Sequence, residues 1–331
     1  MILMNNPNFE EFRYKGSQDW TSIDSTLAAR KLVYSPTGES SDSCDQRIAT
    51  YLSTPAKLES DSVVVRLTEF SDDNGRSSSA VFDALIAEST GCRVIAANLP
   101  GVDYYSGIKD DETQELTPSQ IESLKIGSFL KIGAAVMKAV HNATADLKVE
   151  QKYILVGSCM GGSLAAGAIS VARCVGMNIK GLTIAEPTNI IDRSPSKMRL
   201  QFIKQPTVAG YSAMNPDILR NLEEPVRKGF LRLYSDRQAN SAYANALNKN
   251  TLISDFGNID ILENVPVYMT RGGASVLCPE KGFSPVVDKF SRVARVESVT
   301  FGDAIDNPHN HPYCLTVQSS IDAINNIQSR Q

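Results

Sequence analysis

Residues Tyr153 to Gly162 read YILVGSCMGG, and the run from Ser163 to Val175 that follows is small and mostly apolar. Tyr153 to Val156 has strand character, and the segment from Ser163 has the composition of a helix buried against a sheet. A strand that turns sharply into a helix forces the central residue of the turn into a strained backbone conformation. Only small neighbours tolerate that turn, which explains Gly157 and Gly161 two positions to either side of Cys159. Such a turn raises the Cys159 side chain above the sheet, and the N-terminus of the following helix offers backbone N–H groups to negative charge. A cysteine so placed is a soft nucleophile toward carbonyl carbon. The plainer alternative is a buried structural cysteine. Ser158 stands in the wrong register to act in its place.

Around this turn, short apolar runs alternate with helical stretches. Val63 to Leu67, Arg93 to Ala97, Gly181 to Ile184, Val265 to Met269 and Arg295 to Phe301 read as strands, and Lys31 to Tyr34 and Ile48 to Leu52 supply one or two more. Their near-continuous apolar character suits parallel strands buried on both faces. Helices are predicted over Ser77 to Ser89, Thr117 to Lys148 (after the cap-like Thr117-Pro118-Ser119-Gln120), Ser163 to Val175 and Pro312 to Gln328. The alternation implies an α/β architecture with right-handed crossovers. About 75 residues separate the strands at Gly181 and Val265, too many for a loop in a compact domain, so an inserted helical cap is expected. The expected division is 1–187 for the first part of the core, 188–262 for the cap and 263–331 for the second part of the core.

Composition narrows the function classes. The 331 residues carry 33 basic and 37 acidic side chains, for a net charge of −4, and 42% are hydrophobic. That balance suits a chain with a real core, and it lacks the basic field that nucleic acid or an anionic membrane requires. The six cysteines show no C-x-x-C spacing, so neither a zinc site nor a disulfide framework is expected. Apolar stretches fall far short of a membrane helix, and MILMNNPNFEEF lacks the basic and long apolar regions of a secretory signal, so none is expected there. A cytoplasmic location is expected, with no metal or organic cofactor.

The order of strands, helices and turn resembles the α/β-hydrolase superfamily over roughly residues 62 to 330. Residues 63 to 107, VVVRLTEFSDDNGRSSSAVFDALIAESTGCRVIAANLPGVDYYSG, look like its third strand, oxyanion loop, helix, fourth strand and following loop. The resemblance implies a mostly parallel sheet with flanking helices. Its GSCMGG turn is similar to that of dienelactone hydrolases and of cysteine-dependent acyl or aminoacyl shuttles that serve carrier proteins. It implies oxyanion donors at the backbone of Met160 and Phe70. It also implies a base after the last strand, at His309 or His311, with His309 preferred because Pro312 reads as the start of a helix.

The triad acid is left open by this resemblance. In RGGASVLCP, Ser275 stands where the family places an aspartate. Some members take the acid from after the preceding strand, where Glu186 and Asp192 are available. Asp303 and Asp306 read as loop residues. Thr68-Glu69 replaces the family's His-Gly and gathers Glu69, Asp72 and Asp73 near the expected mouth of the site. They form either a solvated acidic loop or an attraction for a cationic group such as an aminoacyl ammonium. Tyr104 lines the pocket or lies in a surface loop.

Three functions fit these residues. The first is transfer of an acyl or aminoacyl group between thioesters through a Cys159 acyl-enzyme, because thioester exchange is nearly isoenergetic. The second is a thioesterase or esterase with a cysteine–histidine–acid site. The third is a hydrolase fold reused as a non-catalytic binding module. The expected partner is a small acyl or aminoacyl thioester, free or presented on a carrier protein, and the sequence leaves the oligomeric state open.

Overall fold

A computed structural model describes residues 25–26, 29–36, 46–68, 77–101, 116–145, 147, 152–198, 237–257, 262–272, 275, 277–292, 294–301 and 313–330. Eight strands form one sheet in the order β1-β2-β4-β3-β5-β6-β7-β8. They are β1 (Lys31–Pro36), β2 (Arg47–Ser53), β3 (Ser62–Leu67), β4 (Arg93–Ala97), β5 (Lys152–Ser158), β6 (Asn178–Ala185), β7 (Pro266–Gly272) and β8 (Arg295–Phe301). β1 pairs antiparallel with β2 and β2 antiparallel with β4, whereas every pair from β4 to β8 is parallel. The parallel part is wound as the sequence predicts, and all six residues of β3 are buried, as strands covered on both faces must be.

Alternation along the strands divides the core. Val63, Val65, Leu67 and Leu155 face one cluster, and Val64, Ile154 and Val156 face the other. The first cluster is covered by helices α3 (Leu130–Thr144) and α4 (Met160–Cys174), the second by α1 (Ser77–Thr90) and α8 (Tyr313–Ser329). Both faces of the sheet are therefore closed, and the carboxyl ends of the parallel strands are where a site can open.

The chain corrects one predicted helix. Thr117 to Lys148 forms two helices, α2 (Pro118–Lys125) and α3, rather than one. The start is as predicted: Thr117 caps α2, with reciprocal bonds between Thr117 and Gln120 and Pro118 in the first turn. The break falls at Gly127, with φ 89°, a conformation that favours glycine. Ile126, just before the break, is 71% exposed.

Between β6 and β7 the described helices are α5 (Arg237–Ala246) and α6 (Leu252–Phe256). Buried Tyr243 of α5 donates its hydroxyl to the Pro100 carbonyl at 2.7 Å, and α5 packs on α2. α6 packs on α4 and on α7 (Glu280–Phe290). Buried Asn189 knits this region to α4. It accepts from Ser163 Oγ, donates Nδ2 to Thr251 Oγ1 at 3.0 Å, and its carbonyl accepts the N–H groups of Thr251 and Leu252. Among the described residues no helix is long and apolar enough to cross a membrane.

Candidate active site at the β5–α4 turn

β5 ends at Ser158 and α4 begins at Met160, so the whole turn is Cys159. Its backbone sits at φ 53°, ψ −121°, a region L residues adopt only when the surroundings enforce it. The enforcement is visible. Its N–H donates to Ala185 O at 2.8 Å, and its carbonyl accepts the Gly162 N–H at 3.2 Å. A Cβ on Gly157 would lie 2.5 Å from the backbone of Gly161, and one on Gly161 would lie 2.2 Å from Leu67 O. The two flanking glycines are therefore required by close approach of backbone to backbone.

Cys159 is 6% exposed. Met160 opens α4, and first-turn N–H groups have no acceptor within their own helix. The Met160 N–H is thus fixed in the first turn of α4, directly after the sulfur-bearing residue. At the neighbouring strand end, buried Thr68 donates its hydroxyl to Ala97 O at 2.6 Å and ties β3 to β4.

Glu186 follows β6 directly, with φ 51°. Its N–H donates to Thr270 O at 2.8 Å, carrying the residue onto the end of β7. There one carboxylate oxygen accepts the Gly272 N–H, and the other accepts the Ser275 hydroxyl at 2.5 Å. Ser275 Oγ in turn accepts the Cys278 N–H at 2.9 Å. The Glu186 carboxylate therefore reaches over from the end of β6 to the end of β7, where Ser275 stands. Asp192, the other candidate after β6, is exposed and its carboxylate accepts the Asn250 N–H at 3.0 Å, tethering a loop.

Two residues that the sequence reading missed adjoin this region. Buried Arg193 donates to Leu277 O at 2.5 Å and to Thr188 O at 3.3 Å. Burial lowers its guanidinium from the usual arginine value, while the sulfurs of Cys278 and Cys159 act in the opposite sense. Cys278 is fully buried, and burial pushes its thiol well up. Glu186 and Cys159 push the same way, while Arg271 and Arg193 oppose. No local motif announces Arg193, because its bond to Leu277 O joins it to a segment beyond a different strand, 84 positions away. His309, His311, Phe70, Glu69, Asp72, Asp73 and Tyr104 lie outside the described residues. Among the described residues no cluster of His, Cys, Asp and Glu could hold a metal ion.

No family model matches the chain, and no curated protein sequence matches it. Solved structures do resemble it in fold. The 2-hydroxy-6-oxo-6-phenylhexa-2,4-dienoate hydrolase of Rhodococcus sp. strain RHA1 superposes with a TM-score of 0.53 at 13% identity, over 91% of this chain and 98% of its own. An esterase of the bacterial hormone-sensitive lipase family gives 0.52 at 13% identity, over 99% of both chains. A serine hydrolase of Cycloclasticus zankles gives 0.53 at 12% identity, over 90% of this chain and 96% of its own. Strand order, the strained residue between β5 and α4 and these likenesses agree: the chain has the α/β-hydrolase fold.

Proposed function

We propose that this protein is an acyl-group hydrolase that works through a covalent Cys159 acyl-enzyme. The observation that carries the reading is the backbone of Cys159, held at φ 53° at the head of α4 between two glycines that close contacts require. Strain of that kind persists only where the surroundings over-determine it. The described structural neighbours are hydrolases and an esterase, which supports hydrolytic chemistry.

In this reading His309, with His311 as the other candidate, takes the thiol proton. The sulfur then attacks the carbonyl carbon of an ester or thioester. The carbonyl oxygen becomes an oxyanion, received by the N–H groups of Met160 and Phe70. Collapse breaks the bond to the leaving alcohol or thiol, which takes the proton back from the imidazolium. Water, deprotonated by the same imidazole, attacks the thioester and returns Cys159 as a thiol. Glu186 orients the imidazole and balances its positive charge, the role of the triad acid. Residues 188–262 act as the cap over the site, and Glu69, Asp72, Asp73 and Tyr104 belong to its mouth.

A second reading stays close to the first. An acyl-cysteine is itself a thioester, so a thiol acceptor can compete with water, and the protein would then move acyl or aminoacyl groups between thioester carriers. Ser275 in place of an aspartate speaks for transfer only if the site lacks an acid, and in the hydrolase reading Glu186, anchored by Gly272 and Ser275, supplies one.

The test is intact-protein mass spectrometry of wild type and Cys159→Ala after brief exposure to a panel of acyl- and aminoacyl-thioesters, chased with buffer or with a thiol. A wild-type adduct that decays in buffer supports the hydrolase. One that persists in buffer and leaves on the thiol supports transfer. No adduct with any donor means a binding module and ends the catalytic reading.

A further inference from the structure

We propose that Ser275 is the positioning residue for Glu186, and that serine is required there because the acid is supplied from the preceding strand. The inference rests on the reading of Glu186 as the triad acid. Glu186 is 8% and Ser275 6% exposed, so their contact is shielded from water. A hydroxyl has one proton to give and can accept at the same time. The Cys278 N–H donates to Ser275 Oγ at 2.9 Å, which orients the hydroxyl, and its single proton goes to Glu186 Oε2 at 2.5 Å. The Gly272 N–H holds the other carboxylate oxygen.

These two donors to Glu186 both belong to the end of β7 and the turn that follows it. Without the hydroxyl, Oε2 loses the donor that this turn supplies, and the carboxylate is held less firmly in its orientation. Aspartate at 275 would do the opposite of serine. It would place a second carboxylate at hydrogen-bond distance from the first, and two such groups cannot both remain ionised. The departure at Ser275 and the presence of Glu186 are two halves of one arrangement, in which the negative charge has moved to the other end of the same hydrogen bond.

The arrangement is reversible by design, which gives the test. kcat/KM for p-nitrophenyl acetate and for an N-acetylcysteamine acetyl thioester is measured from pH 5 to 10, with thermal melts as the folding control and intact mass as the readout of the Cys159 adduct. Ser275→Ala is expected to lower kcat/KM by about tenfold to a hundredfold and to shift the ascending limb of the profile to lower pH, as the imidazolium loses its fixed carboxylate. Ser275→Thr, which keeps the donor, is expected to stay within about threefold of wild type with an unshifted limb. Ser275→Asp is expected to be more damaging than Ser275→Ala. Pairing it with Glu186→Gln puts the charge back on the β7 side, and the double variant is expected to exceed both singles.

A folded Ser275→Ala protein with wild-type rate and profile overturns the proposal while leaving the acyl-enzyme standing. If Ser275→Ala does not fold, the comparison of Ser275→Asp with the double variant decides, and a double variant no better than its singles overturns it. A wild-type protein that forms no Cys159 adduct overturns the catalytic reading, and this proposal with it.

Discussion

The Asp255 carboxylate accepts the backbone N–H of Phe129 at 2.8 Å, although 126 positions separate the two residues. Phe129 is the cap residue of α3 and has no side-chain acceptor of its own. α6, from the segment between β6 and β7, thus supplies the cap of a core helix, and neutralises an N–H that would otherwise be buried without an acceptor. The contact fixes that segment to the sheet's main covering helix, beside the Asn189 network that holds it to α4.

Burial raises the Asp255 carboxyl above its ordinary 3.8, outweighing the opposing bonds from Phe129 and Ser128. The sign follows from linkage. The unfolded chain releases this proton first, so the group's favourable contribution is whole below about pH 3.8 and is lost as pH rises through the higher folded value. Asp255→Asn keeps an acceptor and has nothing to titrate. Urea unfolding from pH 4 to 7 should show the variant gaining on wild type as pH rises, and equal slopes for the two proteins would refute the assignment. Asp255→Ala, which strips the cap, should cost about 1–2 kcal/mol at pH 4 and less as pH rises.

Gly161 tests the turn itself. A Cβ there would meet Leu67 O at 2.2 Å, whereas one on Gly176, φ 76°, meets nothing within 4 Å. Gly176→Ala should cost about 1 kcal/mol, the penalty of the left-handed backbone alone. Gly161→Ala should cost about 3 kcal/mol or more, because the opposing atom is backbone and cannot swing aside. It should also abolish acylation of Cys159. Thermal melts of the two variants side by side make the check, and similar losses would mean that the turn is looser than this geometry.

On the opposite face of the sheet, Asp83 lies between two arginines. It bonds Arg66 Nε and Arg30 at 2.5 Å each, and its side chain is fully buried. Removing one partner of a buried pair leaves charge without compensation, at roughly 3–5 kcal/mol. Asp83→Asn should approach that loss. Glu280, paired at 2.5 Å with Arg271 but largely exposed, should cost less than about 1 kcal/mol when changed to Gln. The two substitutions remove one carboxylate each, so denaturant midpoints that move equally would contradict the difference in burial.

How much of this was legible in the sequence depended on how local the cause is. The β5–α4 turn was readable because Gly157, Cys159 and Gly161 act on one another within five residues. The strands were readable because apolar runs report burial on both faces directly. The break between α2 and α3 was not, since the apolar spacing continues through Ile126 and the capping carboxylate of Asp255 is far along the chain. The contact between Glu186 and Ser275 was half legible. Ser275 could be seen to lack a carboxylate, and Glu186 to be available, but not that one hydrogen bond joins them across 89 positions. Arg193 gave no signal, because an arginine in a loop is ordinarily solvated.

Thiol chemistry gives the sharpest remaining expectation. Cys92 and Cys278 are fully buried, and burial raises both thiols. A raised, enclosed thiol has little thiolate and no path for a reagent. Cys159 is nearly as buried by area, yet it stands at the head of α4, where backbone N–H groups favour negative charge. Iodoacetamide at pH 7.5, read by peptide mapping, should therefore leave Cys92 and Cys278 unmodified for as long as the protein is folded and modify Cys159 well before them. Exposed Cys174 sets the rate for an ordinary accessible thiol. Cys159 reacting faster than Cys174 despite its burial would mark an activated nucleophile. Cys159 as slow as Cys278 would mean that the strained turn holds an inert sulfur, and the acyl-enzyme would have to be given up.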